Sequence, residues 1–182
     1  AQSAAGAGMV LADVCTGSGA VAVALARQLP AARLVASDVS GEALEVARLN
    51  AARHAVDDRV EFIEGDLLAP VAAWCERHGA RVDVLCANPP YIPDQEWASV
   101  ERNVKEFEPT LALRGGGDGL EFVRPLIEGA AGVLAPGGLL LVEIASVTAS
   151  EVERLAHESG LHGVRIVKDL EGLSRMLLAT RG

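Results

Sequence analysis

The chain has 182 residues, 50% of them hydrophobic, with 16 Lys and Arg against 25 Asp and Glu for a formal charge of −9. That length holds one buried core and falls short of two ordinary domains, and the apolar content excludes intrinsic disorder. The acidity excludes broad, nonspecific phosphate binding, and no apolar run approaches the ~20 residues that span a bilayer.

Residues 1–8 are small or polar and lack the basic n-region of a signal peptide. They read as a linker or the trimmed end of a longer chain, with residues 9–182 as one catalytic domain. From Met9 onward short apolar runs alternate with helical periodicity. Strands are expected at Met9–Val14, Arg33–Ser37, Val60–Ile63 and Val82–Ala87, with helices at Ala20–Leu29, Gly41–His54 and Ala69–His78. The alternation breaks between Asn88 and Gly119, a functional loop with one helix near Trp97–Phe107. It resumes with a helix at Leu120–Leu134, a turn at Ala135–Gly138, a buried strand at Leu139–Ile144 and a helix at Thr148–Ser159. Two final strands, Gly163–Lys168 and Arg175–Thr180, are a hairpin's length apart. The expected fold is α/β, a doubly wound, mostly parallel seven-stranded sheet ending in an antiparallel hairpin.

Cys15, Cys75 and Cys86 cannot all pair with one another and have no metal-ligand spacing, so they read as reduced thiols of a cytoplasmic protein. The four histidines form no ligand motif, so no metal is expected. Trp74, Trp97 and Phe122 read as packing residues.

Between the first strand and helix lies Asp13-Val14-Cys15-Thr16-Gly17-Ser18-Gly19, whose glycines let backbone approach a ligand closely. Asp38 ends the second strand about 20 residues on, where a carboxylate accepts ribose hydroxyls. Asp66 follows the third strand, where it and Leu67 border an adenine ring. Three acids along one crevice repel a pyrophosphate and suit a ligand with a positive centre. S-adenosylmethionine, a sulfonium carrying an ammonium group, fits better than NAD.

Asn88-Pro89-Pro90-Tyr91 follows the buried fourth strand and faces the same crevice, because open parallel sheets bind ligands beyond their carboxyl ends. The prolines stiffen the segment and leave carbonyls free, Asn88 adds a side-chain acceptor, and Tyr91 adds a flat face. This set suits a planar NH2 group. With the Asn88 side-chain oxygen and the Pro89 carbonyl each accepting one N–H, the nitrogen lone pair is aimed at the methyl. The same acceptors stabilise positive charge growing on nitrogen.

Asp13-x-Cys-Thr-Gly-Ser-Gly, Asp38, Gly65-Asp66 and Asn88-Pro-Pro-Tyr91 together resemble class I S-adenosylmethionine-dependent methyltransferases acting on planar nitrogens. Tyr91-Ile92-Pro93, Phe107-Glu108-Pro109-x-x-Ala112-Leu113 and Gly116-Gly117-Asp118-Gly119-Leu120 narrow the resemblance to protein-(glutamine-N5) methyltransferases of the PrmC/HemK type. Those enzymes modify the Gly-Gly-Gln glutamine of peptide-chain release factors. The resemblance implies a Rossmann-like fold and a cofactor held by Asp13, Cys15, Thr16, Gly17, Ser18, Gly19, Asp38, Asp66, Leu67 and Asn88, leaving as S-adenosylhomocysteine. It implies a catalytic segment of Asn88, Pro89, Pro90 and Tyr91, a substrate mouth shaped by Glu108 and Pro109, and a release factor as partner of a monomeric enzyme. Cys15 stands where the family usually has glycine, Ala145-Ser146-Val147-Thr148 replaces Gly-x-x-Gln, and Asp169–Arg175 lacks the usual Arg-Asp-Arg. Bacterial members also carry an N-terminal helical domain, to which nothing in this sequence corresponds.

Two other functions compete. Methylation of an exocyclic base amine in RNA or DNA needs phosphate contacts, yet residues 88–118 hold six acids against three bases, so no stable nucleic-acid binding is expected. A non-catalytic subunit with the same fold has no need of an intact Asn88–Tyr91 segment.

Overall fold

Apolar side chains at alternating positions of the first two strands decide the layering. In the computed structural model, which describes residues 8–102, 105 and 109–182, Val10, Ala12, Val14 and Val35 belong to one buried cluster and Leu11, Leu34 and Ala36 to another. A strand whose neighbouring residues both meet apolar partners is covered on both faces, which is why its sequence reads as a continuous apolar run.

The strands are β1 (Val10–Val14), β2 (Arg33–Asp38), β3 (Val60–Glu64), β4 (Val82–Ala87), β5 (Leu134–Glu143), β6 (Leu161–Lys168) and β7 (Ser174–Arg181). They form one sheet in the order β3-β2-β1-β4-β5-β7-β6. The first five are mutually parallel, and β7 runs antiparallel between β5 and β6. The helices are α1 (Ala20–Gln28), α2 (Gly41–Arg53), α3 (Ala69–His78), α4 (Val123–Val133) and α5 (Ala149–Glu158). Helices α1 and α2 cover one face, while α3, α4 and α5 pack on the other against Leu85, Leu140, Val142 and Leu177. Each such fully buried side chain stabilises the fold by ~1.5–3 kcal/mol. The direction of winding reverses between β1 and β4, so the crevice beyond their carboxyl ends is the natural ligand position.

Several expected boundaries move. Helix α4 starts at Val123 rather than Leu120, because the Asp118 Oδ1 accepts the Leu120 N–H at 2.9 Å and holds that stretch in a turn. The expected turn at Ala135–Gly138 is a bulge within β5: the partners Val82 and Val84 on β4 face Leu134 and Leu139, and the surplus loops out through Gly137 at φ 76°. In the region of the helix expected at Trp97–Phe107, Asp94–Ser99 form a 3-10 helix that ends at the extended Val100, and Arg102 and Lys105 beyond it are helical, the Lys105 N–H donating to the Glu101 carbonyl at 3.2 Å. Asn103, Val104, Glu106, Phe107 and Glu108 lie outside the described residues.

The three cysteines are free thiols and the four histidines are exposed. Trp74 is buried, with its indole N–H donating to Glu61 Oε2 at 2.7 Å. Trp97 and Phe122 are half-buried, and Lys105 and Arg114 lie over the Trp97 ring. Among the described residues no helix is long and apolar enough to cross a membrane.

Candidate active site

The strand register sets the site. Ser37, Val14, Ala87 and Val142 pair across β2, β1, β4 and β5 as one row. Because these strands are parallel, the next residues along each, Asp38, Cys15, Asn88 and Glu143, all emerge on the crevice side. Four residues widely spaced in sequence thus become neighbours along one edge.

The loop after β1 is fastened from several sides. Thr16 donates its N–H to the Ser37 carbonyl at 3.0 Å, and Gly17 donates its own to Asp38 Oδ2 at 2.8 Å. Asp38 Oδ1 accepts the Ser40 N–H at 3.0 Å, so the carboxylate is fixed while retaining lone pairs for a ligand. From α2, the Asn50 amide donates to the Ser18 carbonyl at 2.9 Å. Gly19 turns into α1 at φ 77°, where an added Cβ would lie 2.9 Å from Ala47 Cβ. Cys15 at φ 58° and Leu67 at φ 44° occupy left-handed backbone that side chains disfavour. Such strain gathers where a ligand dictates the loop's shape.

Asp13 lies beneath this loop rather than on its surface. It is 3% exposed, and its Oδ2 accepts both the Thr16 hydroxyl at 2.6 Å and the Ala22 N–H at 3.1 Å. It therefore caps α1 from below, where Gly19 has no side chain to do so. Burial raises its pKa to about 6 against those two hydrogen bonds, with a smaller push from Asp38. The half-buried Cys15 packs against the core, and burial together with the charges of Asp38, Asp13 and Asp66 drives its thiol up to about 12. The three carboxylates thus act on one point, and that point is no nucleophile. Asp66 is exposed beside the half-buried Leu67, and the neighbouring Gly65 N–H joins the Asp38 carbonyl at 2.9 Å.

Beyond β4, Pro89 is buried, Pro90 and Tyr91 are half-buried, and Asn88 is exposed with no side-chain hydrogen bond to a described residue. Two glycines of the later loop pack against this segment. A Cβ on Gly115 would sit 2.7 Å from the Tyr91 Cα, and one on Gly119 would sit 2.7 Å from the Tyr91 carbonyl oxygen. Ile92 N–H to the Leu113 carbonyl and Gly115 N–H to the Ile92 carbonyl, each 2.9 Å, bind the two segments together. Pro109 is exposed and opens the short helical turn Thr110–Ala112 that leads into this pairing. Glu108 lies outside the described residues.

The sequence pattern did not single out Asn50, Glu143 or Arg175 for the site. The Tyr91 hydroxyl donates to Glu143 Oε1 at 2.7 Å, and Arg175 at the start of β7 lies beside both. Tyr91 and Arg175 also line a cavity of about 330 Å³ with Ile92, Glu96, Val100 and Val147. Their pairing depends on β7 inserting next to β5, which no local pattern encodes.

The family model of the methyltransferase small domain matches residues 3–118. A release factor glutamine methyltransferase of Moorella thermoacetica is 44% identical over 94% of this chain and 58% of its own length. One of the same name from Chlorobaculum tepidum is 41% identical over 91% of this chain and 55% of its own length. The chain therefore spans a little over half of these relatives. Among solved structures, a ribosomal protein L11 methylase from Lactobacillus delbrueckii subsp. bulgaricus superposes with TM-score 0.65 at 23% identity, covering 98% of this chain and 72% of that one. At that identity the likeness speaks for the fold.

Proposed function

This chain belongs to the methyltransferase small-domain family, and from that premise we propose that it methylates the side-chain amide nitrogen of a protein glutamine. The proposed substrate is the Gly-Gly-Gln motif of a peptide-chain release factor, with residues 9–182 as the catalytic domain working in the cytoplasm. The observation that carries the chemistry is Asn88, exposed and without a side-chain partner among the described residues, at the head of a rigid Pro-Pro segment on the crevice edge. The choice of glutamine rests on relatives of that name at 44% and 41% identity.

The residues present suit S-adenosylmethionine. Asp38 is held by two N–H groups with lone pairs to spare for ribose hydroxyls, and nothing lies within 4 Å of the Cβ position of Gly17. The joint push of Asp38, Asp13 and Asp66 on Cys15 marks a negative field, which favours a cationic ligand. Thr16, Gly17, Ser18 and Gly19 supply the backbone wall, Leu67 and Asp66 border the base, and Asp13 keeps the loop in shape from below. When bound, S-adenosylmethionine supplies an electrophilic methyl and leaves as S-adenosylhomocysteine.

The protein's share of the work is orientation. Asn88 Oδ1 and the Pro89 carbonyl accept the two N–H groups of the substrate amide, and Tyr91 and Pro90 bound the slot that holds it. An amide nitrogen is a poor nucleophile because its lone pair is delocalised, so holding that pair in line is worth several kcal/mol. The new N–C bond forms as the S–C bond breaks, the acceptors stabilise the positive charge reaching nitrogen, and water takes the released proton. No side chain titrating near neutrality is needed.

The test is transfer of label from methyl-labelled S-adenosylmethionine to a release factor, with and without its Gly-Gly-Gln glutamine replaced. Label that appears only with the glutamine supports the reading. Label that persists after its replacement, or that goes instead to RNA or DNA, overturns it.

A further inference from the structure

Tyr91 is held at both ends. Its backbone is wedged against Gly115 and Gly119, where even a methyl group would collide. Its hydroxyl donates to Glu143 Oε1 at 2.7 Å, from the last residue of β5. Glu143 pairs with Met176 on β7, which places Arg175 next to it, and the Arg175 charge bears on both Tyr91 and Glu143. Arg175 is itself tethered: its Nε donates to Asp169 Oδ2 at 3.1 Å. Asp169 in turn closes the β6–β7 turn, its Oδ1 accepting the N–H groups of Glu171 and Leu173 at 3.0 and 2.9 Å. A line of hydrogen bonds and charge contacts thus runs from the C-terminal hairpin to the segment that carries Asn88.

We propose that Glu143, backed by Arg175, is a positioning residue for methyl transfer: it fixes the Tyr91 ring and, through it, the acceptor groups of Asn88 and Pro89. This rests on the glutamine-methylation reading. A phenol ring free at its far end swings about its side-chain bonds, and the slot it bounds widens with it. A Tyr91 whose hydroxyl is bonded to the Glu143 carboxylate, with the Arg175 charge bearing on both, stays in one rotamer. The bond is charge-assisted, about twice as strong as a neutral one. Misplacing a reacting group by ~1 Å costs on the order of 10²-fold in rate, which sets the scale for losing the tether.

Tyr91 is the single tyrosine of the chain, so its ionisation can be followed by phenolate absorbance without interference from another tyrosine. Burial and the bond to Glu143 push its hydroxyl up to about 12. In Glu143→Gln the charge is gone while an oxygen still accepts the hydrogen bond, and in Glu143→Ala both are lost. The phenol titration, followed while circular dichroism reports a folded chain, moves down in both variants but stays above the usual ~10, because burial, the largest cause, remains. With a release factor as substrate, Glu143→Ala and Tyr91→Phe each lower kcat by about 10- to 100-fold. KM for S-adenosylmethionine stays within about twofold, because the loss falls on the transition state and leaves ground-state binding of that ligand untouched. Glu143→Gln loses less than Glu143→Ala. The double variant Tyr91→Phe/Glu143→Ala is no slower than the worse single one, since both remove the same bond.

Losses that multiply in the double variant, or a phenol titration that ignores Glu143→Gln, overturn the inference while leaving the methylation reading in place. A wild-type chain that moves no methyl to glutamine, with a phenol titration that still responds, overturns the methylation reading and the positioning role with it.

Discussion

Asp13 carries the most exacting prediction, because a carboxylate buried under the first loop couples that loop to pH. Its pKa rises from 3.8 to about 6 in the folded chain, chiefly through burial. A raised carboxylate pKa means the folded state holds the proton more tightly than the unfolded state does. The associated stability is therefore fully present below ~4 and is lost as pH climbs through 6. Each tenfold difference in proton affinity between the two states is worth ~1.4 kcal/mol, so the loss amounts to ~3 kcal/mol. Asp13→Asn keeps an oxygen to accept from the Thr16 hydroxyl and the Ala22 N–H but has no charge to bury. Urea unfolding of both proteins at about pH 4 and about pH 8 isolates the effect, since all other titrating groups are shared. The stability of Asp13→Asn relative to the wild type should rise by ~3 kcal/mol between those two conditions. A difference that stays flat, or that falls, refutes the claim that burial outweighs the two hydrogen bonds at this carboxylate.

Three further substitutions probe the surrounding geometry. Gly115→Ala places a methyl 2.7 Å from the Tyr91 Cα, so the two segments must part; about 1–3 kcal/mol of stability and at least tenfold in methyl transfer should go with it, read by thermal unfolding and label transfer. Ser37→Ala removes a buried hydroxyl that has no hydrogen-bond partner among the described residues, so denaturant unfolding should find the variant unchanged or up to ~1 kcal/mol more stable. Asp38→Ala removes the acceptor that the Gly17 and Ser40 N–H groups fix in place, and calorimetry should show S-adenosylhomocysteine binding weakened by ~10- to 100-fold.

The parts of the fold visible in the sequence are those written in local periodicity. The parallel strands β1, β2, β4 and β5 announce themselves because both their faces carry buried or half-buried apolar residues, and helices α1, α2 and α3 because their apolar residues recur at helical spacing. Ala135–Gly138 misleads for the same reason: Pro and Gly signal a turn, but a bulge uses the same residues, and only pairing with β4 distinguishes the two. The placement of Asp38, Asn88 and the first loop on one edge follows from the winding rule for parallel sheets, so those residues could be grouped from sequence. Asp13 shows the limit of that reasoning. Strand position does not say which way a side chain turns, and this one turns under the loop to serve α1. Arg175 was out of reach because it meets Tyr91 only through the insertion of β7 beside β5, and Glu143 because strand pairing places it next to the Asn88 segment without saying that its side chain turns to the Tyr91 hydroxyl. Gly116, Gly117 and Gly119 are recognisable as a family pattern, but the physical reason differs along it: the Tyr91 carbonyl and the Pro93 ring press on Gly119, the Glu121 side chain on Gly116, and nothing on Gly117.

In the proposed reaction Asn88 serves as a preorganised acceptor for the amide that receives the methyl. Single-turnover transfer from labelled S-adenosylmethionine to a release factor, comparing wild type with Asn88→Ala, tests it most directly. The expected result is a loss of ~10²–10³ in the rate of transfer, with the variant as well folded as the wild type. Wild-type transfer that Asn88→Ala leaves undiminished would contradict it.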